Sequence, residues 1–185
     1  MTRFKTSVLA RAVAVSIATL AFAVGASAAG DKAAYDNAKT SAKATYETAK
    51  KSCDASSGNA KDICVAEAKA ARTKTEVDAE ATYKNTPKAR EHAVHETAEA
   101  NYKVAKERCD DKTGNDKDVC VKEAKAAMTK AKADAKATHQ VADARSDASK
   151  DKREADYKVA AEKCDAMTGD AKSGCIAQAK AKYRM

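Results

Sequence analysis

Two apolar patterns divide the chain. Residues 12–24, "AVAVSIATLAFAV", form an unbroken run, whereas beyond residue 28 apolar side chains come singly at three- and four-residue intervals among charges. Tyr46, Ala49 and Cys53 mark one such stripe, and Cys64, Ala68 and Ala71 mark a second. That spacing places each set on one face of an amphipathic helix. The surrounding Ala, Lys and Glu are strong helix formers, and the chain has a single proline and no β-branched run that would make a strand. The pattern predicts an all-α chain.

The helical pattern repeats. Aligning Tyr46, Tyr102 and Tyr157 yields a unit A-x-x-x-C-D-x-x-[ST]-G-[ND]-x-K-x-x-C-[VI]-x-[EQ]-A-K-A, present three times. The first two copies also agree through "EAKAA", Thr73/Thr129, Lys74/Lys130, Asp78/Asp134 and "AT" at 81 and 137, while the third stops at Met185. An array of similar units with a truncated last member follows. It divides the chain into a leader, 1–28, and repeats over 29–86, 87–145 and 146–185.

Within each unit the local signals point to a helical hairpin. Gly58 suits the left-handed conformation that ends a helix, and Asn59 suits the cap of the next, as do Gly114 with Asn115 and Gly169 with Asp170. Basic residues crowd the end of the first helix (Lys50, Lys51; Lys106, Arg108) and acids open the second, as the helix dipoles favour.

The cysteines fit that reading. Residues eleven apart on one straight helix lie about 16 Å apart, whereas a disulfide needs Cα atoms within about 7 Å. If the chain folds back at the glycine, Cys53 faces Cys64, Cys109 faces Cys120 and Cys164 faces Cys175. Each closed loop of about a dozen residues then contributes on the order of 3 kcal/mol in the chain-entropy account. Six cysteines allow fifteen pairings, and sequence alone leaves the other fourteen open.

Elsewhere "NTPKA" is the clear breaker: Thr86 caps and Pro87 opens a helix, so one helix ends near Asn85. Between Asn115 and Gly169 there is neither Gly nor Pro, which predicts a helix of up to about 50 residues, some 75 Å long if unbroken, with a kink favoured near "HQVADARSDASKD". The expected molecule is an elongated array of hairpins joined by long helices.

The leader sharpens the setting. Arg3, Lys5 and Arg11 precede the apolar run and "ASA" ends at Ala28, the pattern of a secretory signal peptide cleaved after Ala28. The expected location is the periplasm or outside the cell, where disulfides form, with no transmembrane anchor in the mature protein. Past residue 28 the chain has no Leu, Phe or Trp, so its interior is a thin alanine layer reinforced by a few Val, Ile, Met and Tyr. Setting the three leader cations aside from 35 basic and 27 acidic residues leaves a net charge of +5. Acids and bases alternate, unlike the concentrated basic face of a specific nucleic-acid binder.

Candidate chemistry is sparse. The cysteine spacing is not that of zinc sites, and CxxC and CxxCH are absent. No nucleophile elbow, phosphate-cradling glycine loop or HExxH occurs. His92 and His95, with Glu91, Glu96 and Glu99, have the i,i+3 and i,i+4 spacing of a helical metal patch, which is also that of a solvated polar face. His139 stands alone. Tyr46, Tyr102 and Tyr157 occupy one position in every repeat and read as packing residues. No cofactor is called for.

The Ala/Lys/Glu helices behind a signal peptide resemble the periplasmic stalk of TolA-type cell-envelope proteins. The Cys-containing unit is similar to that of small exported Ala/Lys-rich repeat proteins of Gram-negative bacteria, some of them labelled TolA-like. TolA-type proteins keep a membrane anchor and carry a folded C-terminal domain, while this chain has a cleavable leader and ends inside a repeat, so their force-transmitting role does not carry over. The terminal "KYRM" resembles the end of the peptidoglycan-linked outer-membrane lipoprotein, but Met185 stands where that family needs lysine, and a lipidated cysteine is missing. The expected role is a non-enzymatic structural or interaction protein of the periplasm or cell envelope. Metal or small-ligand binding and attraction to anionic envelope surfaces are the alternatives. Expected partners are envelope proteins, anionic surfaces, or a second copy joined through Ala-rich faces.

Overall fold

The computed structural model describes residues 30–185; the leader expected at 1–28 lies outside them. Five helices follow one another: α1 (Lys32–Ser52), α2 (Gly58–Lys84), α3 (Pro87–Cys109), α4 (Gly114–Cys164) and α5 (Gly169–Tyr183). No strand occurs among the described residues, and none of their helices is long and apolar enough to cross a membrane.

Each helix touches only its neighbours in sequence: α1 on α2, α2 on α3, α3 on α4, α4 on α5. The first three helices and the N-terminal half of α4 therefore form a single serpentine layer rather than a closed bundle. The buried apolar side chains are nearly all alanine, with Val104 and the half-cystines Cys53, Cys109 and Cys164. A buried alanine methyl contributes only about 0.8 kcal/mol, so no leucine-rich core holds the helices together.

Two interfaces alternate along the layer. Within a repeat, one stripe of the first helix faces the second helix: Tyr35, Ala38, Ala42, Tyr46, Ala49 and Cys53 on α1, each at least half-buried. The same positions on α3 are Glu91, Val94, Ala98, Tyr102, Ala105 and Cys109, facing α4. Between repeats, a different stripe of α3 turns toward α2, where Ala89 and Ala93 pack with Ala81 and Val77.

Capping explains where the chain reverses. Asp31 accepts from the Ala34 amide at α1. Between α2 and α3, Asn85 adopts the left-handed conformation (φ 46°), Thr86 Oγ1 accepts from the Ala89 amide at 3.1 Å, and Pro87 takes the first helical position. The "NTP" reversal thus forms as its residues predict.

In the next repeat that reversal is missing. Residues 58–84 align with 114–140, and 86–109 with 141–164, so the position of Asn85 is deleted and Thr86-Pro87 become Val141-Ala142. The chain has no left-handed residue, cap or proline there, and α4 runs helical for 51 residues, about 76 Å. It contains the equivalents of α2 and α3 end to end, and the repeat boundary expected at 145/146 falls inside it. Residues 143–156 are all exposed, so this stretch crosses solvent as a solitary helix between α3 and the third hairpin.

The hairpin turns differ in two details from the sequence reading. Gly58, Gly114 and Gly169 do take positive φ (56°, 56° and 59°), but each is the first residue of the following helix rather than the end of the preceding one. Ser57, Thr113 and Thr168 hold the cap positions without a side-chain bond. Asn59 does not cap α2. Its amide crosses to α3, donating to the Glu107 carbonyl and the Asp111 carboxylate.

A Cβ at Gly114 would meet nothing within 4 Å, so the need for glycine there is conformational alone. Gly114→Ala is expected to destabilise its hairpin by about 1–2 kcal/mol. Gly174→Ala, inside α5 and free of positive φ, should be neutral or stabilising by about 0.5–1 kcal/mol. Urea melts of the two oxidised variants followed by circular dichroism check both signs; equal effects would refute the conformational account.

Candidate functional site

The repeated chemistry lies at the three turns. Cys53–Cys64, Cys109–Cys120 and Cys164–Cys175 are bonded with Cα separations of 5.6, 5.7 and 5.7 Å, well within disulfide reach. All six sequence-predicted cysteines are brought together in within-repeat pairs, and none is free. Cys53 and Cys109 are fully buried and Cys164 nearly so.

Beside every cystine sits an ion pair. Lys61 reaches back to Asp54 at 2.8 Å, Lys117 to Asp110 at 2.9 Å and Lys172 to Asp165 at 2.9 Å. These are the Asp after the first cysteine and the Lys three positions past the glycine, so the repeat unit carries a clasp across each turn. The Lys61 hydrogen bond holds the Asp54 carboxyl below its ordinary range, with the lysine charge adding to the effect. The same backbone bond also recurs: Ser56 to the Cys53 carbonyl, Lys112 to Cys109 and Met167 to Cys164, each 3.0 Å. The invariant Asp and Lys of the unit were the signal for the clasp.

The histidine patch is distributed rather than convergent. His92 is exposed and lies on the α2 side of α3, where its charge helps hold Glu80 low, secondary to the Lys84 hydrogen bond. His95 faces α4, 3.2 Å from the Lys132 carbonyl and 3.6 Å from Glu91. Glu96 lines the α2–α3 groove, while Glu99 accepts from Lys132 of α4. Among the described residues no group of three or more His, Cys, Asp and Glu side chains is placed to hold a metal ion.

His139, unassigned by sequence reasoning, is the histidine with the richest contacts. Its Nδ1 meets Glu91 across the α3–α4 interface, and its Nε2 lies 2.9 Å from Asp143 one turn along α4. Its repeat equivalent is Tyr83, and that of Glu91 is Tyr35. Those tyrosines stack with ring centroids 5.2 Å apart at the open end of the first hairpin. The Glu91–His139 pair therefore closes the open end of the second hairpin where an aromatic pair closes the first. The alignment of Tyr35 and Tyr83 with Glu91 and His139 was the available signal.

A groove of about 580 Å³ opens between α2 and α3. Acids and bases both line it, among them Lys61, Lys69, Glu76, Glu96 and Lys103, with Val65, Ala66, Ala70 and Ala100 at its floor. Tyr46 of α1 borders it beneath Arg72, whose guanidinium lies 5.6 Å from the ring centroid and pairs with Glu76. This is the geometry of two charged helices held apart by long side chains above a shallow alanine contact. No protein-family model, curated protein or solved structure matches this chain.

Two outcomes are expected from these contacts. His139→Ala leaves the half-buried Glu91 carboxylate without its cross-helix partner and should cost about 1–2 kcal/mol, whereas the double change Glu91→Tyr, His139→Tyr restores the first hairpin's pair and should recover it; chemical denaturation measures both. Lys132 donates to Glu99 and holds its carboxyl below the ordinary range. Because the folded-state value is the lower one, that stabilisation is complete above the unfolded glutamate range of about 4.3 and is lost as pH falls through the folded-state value. Thermal midpoints recorded down that acid range should fall less steeply in Glu99→Gln than in the parent; identical slopes would show the pair to be inert.

Proposed function

We propose that this chain is an exported, non-enzymatic structural or interaction protein of the periplasm or cell envelope, a helical spacer that carries charged helix faces on covalently closed hairpins. The observation that carries this reading is the threefold recurrence of cystine, Asp–Lys clasp and positive-φ glycine at turns between alanine-faced helices. Such hairpins depend on their cross-links because their apolar burial is small, and those cross-links persist in an oxidising compartment. The solitary stretch 143–156 supports a spacer role, since it sets the third hairpin apart from the first two by helix alone.

The apolar leader with its Ala-x-Ala end supports export into that compartment. Alternating charge along exposed faces suits contacts with polar partners that screen with salt. The test is a fractionation of a Gram-negative host producing the full chain, with thiols trapped by alkylation before lysis. Recovery in the periplasmic fraction, beginning at Ala29 and carrying three within-repeat bridges, is the expected result. Recovery in the cytoplasm with alkylated cysteines would overturn the reading.

A further inference from the structure

The interface that joins repeats is made once in this chain and left open once. In the first case α2 and α3 pair in an antiparallel register that sets Ala81 against Ala89, Val77 against Ala93 and Ala70 near Ala100. Their equivalents are Ala137 and Ala144, Ala133 and Ala148, Ala126 and Ala155. All six are exposed, because the two halves that should pair are fused into the continuous α4.

These residues share one side of that helix. From Ala133 onward the steps to 137, 144, 148, 155 and 159 alternate four and seven, an eleven-residue period that keeps to one face of a straight helix. The side chains that α3 and α5 cover, such as Ala124, Met128, Ala135, His139, Tyr157 and Cys164, fall on the opposite side at 100° per residue. The face that carries the stripe is thus free for about 50 Å, while the opposite face is covered up to Ala142 and again from Tyr157 onward.

The polar fringe of the interface is duplicated as well. Arg108 of α3 pairs with Glu67 of α2. Their equivalents Lys163 and Glu123 are present, exposed and without a salt-bridge partner among the described residues. In the repeat register the three apolar pairs on α4 add to the same value, 137 with 144, 133 with 148 and 126 with 155, while Glu123 and Lys163 keep the same five-position offset from that register as Glu67 and Arg108. A two-fold axis between residues 140 and 141 satisfies all of them at once.

We propose that α4 pairs antiparallel with α4 of a second copy, making a symmetric dimer in which each N-terminal half takes the partner's C-terminal half as α2 takes α3. Alanines face alanines along the shared stripe and Glu123 meets the partner's Lys163. On the stripe Ala133 stands where α2 has Val77 and Lys122 where α2 has Ala66; the lysine stem lies along apolar surface while its ammonium reaches water. The inference stands on the internal repeat and does not depend on where the protein resides.

Sedimentation of oxidised residues 29–185, which carry every described element, tests it. A dimer is expected, with Ala137→Glu, Ala144→Glu weakening association about a hundredfold by setting like charges against each other while helicity is kept. Val141→Cys, beside the axis, should cross-link to its mate with a short bis-maleimide, and Ser146→Cys, on the side opposite the stripe, should not. Replacing Val141-Ala142 by Asn-Thr-Pro reinstalls the reversal and should give a compact monomer. A parent chain that stays monomeric at about 100 µM, roughly a hundred times a micromolar Kd, a dimer indifferent to the glutamates, or equal cross-linking at 141 and 146 would each overturn the proposal.

Discussion

Everything in this fold depends on closing a reversal of direction without a hydrophobic core to hold it closed. Alanine brings helices close but contributes little burial, and isolated helical hairpins of such composition would open. The three turns answer that constraint in the same way, with a cystine between the helix ends, a clasp from Asp to Lys over the loop, and a glycine that lets the chain enter the next helix from a left-handed start. The interhelical contacts beyond each turn are then additions to a closed unit. Their variety shows this: an aromatic stack in one hairpin, a carboxylate–imidazole pair in the next.

Topology rests on an equally small set of residues. The first two repeats are alike in their hairpins and differ in how the second helix of each ends, and that difference comes down to a deleted Asn and the exchange of Thr-Pro for Val-Ala. A left-handed residue, a cap and a proline fold α3 back on α2. Without them the helix simply continues, because nothing in Ala, Asp, Arg and Ser over 141–149 costs enough to stop it.

Much of this was legible from residue types. Helix propensity, the repeat and the glycine between paired cysteines led to the all-α hairpins and to the pairing found. The NTP turn and the long α4 followed from the placement of Gly and Pro. What was not legible depends on distance rather than order. Asn59 looked like a cap because caps are local, yet its amide serves a carbonyl 48 positions away. His139 looked solitary because its partner Glu91 lies on another helix. The Asp–Lys clasp was written into the repeat unit but its meaning required the turn that brings its ends together. His92 and His95 matched a ligand spacing, and the neighbours packed on either side of α3 drew them apart.

The spacing of the cystines also governs how the chain acquires them. Each joins residues 11 apart, whereas the next cysteine after Cys64 is Cys109. Closing the shorter loop is favoured by about 1.2 kcal/mol in chain entropy, or roughly eightfold. A chain made available from its N-terminus presents Cys64 to Cys53 before Cys109 arrives, and with that bridge closed the next thiol Cys109 meets is Cys120. Oxidation can therefore proceed as three separate local events, and disulfide reshuffling has little to correct.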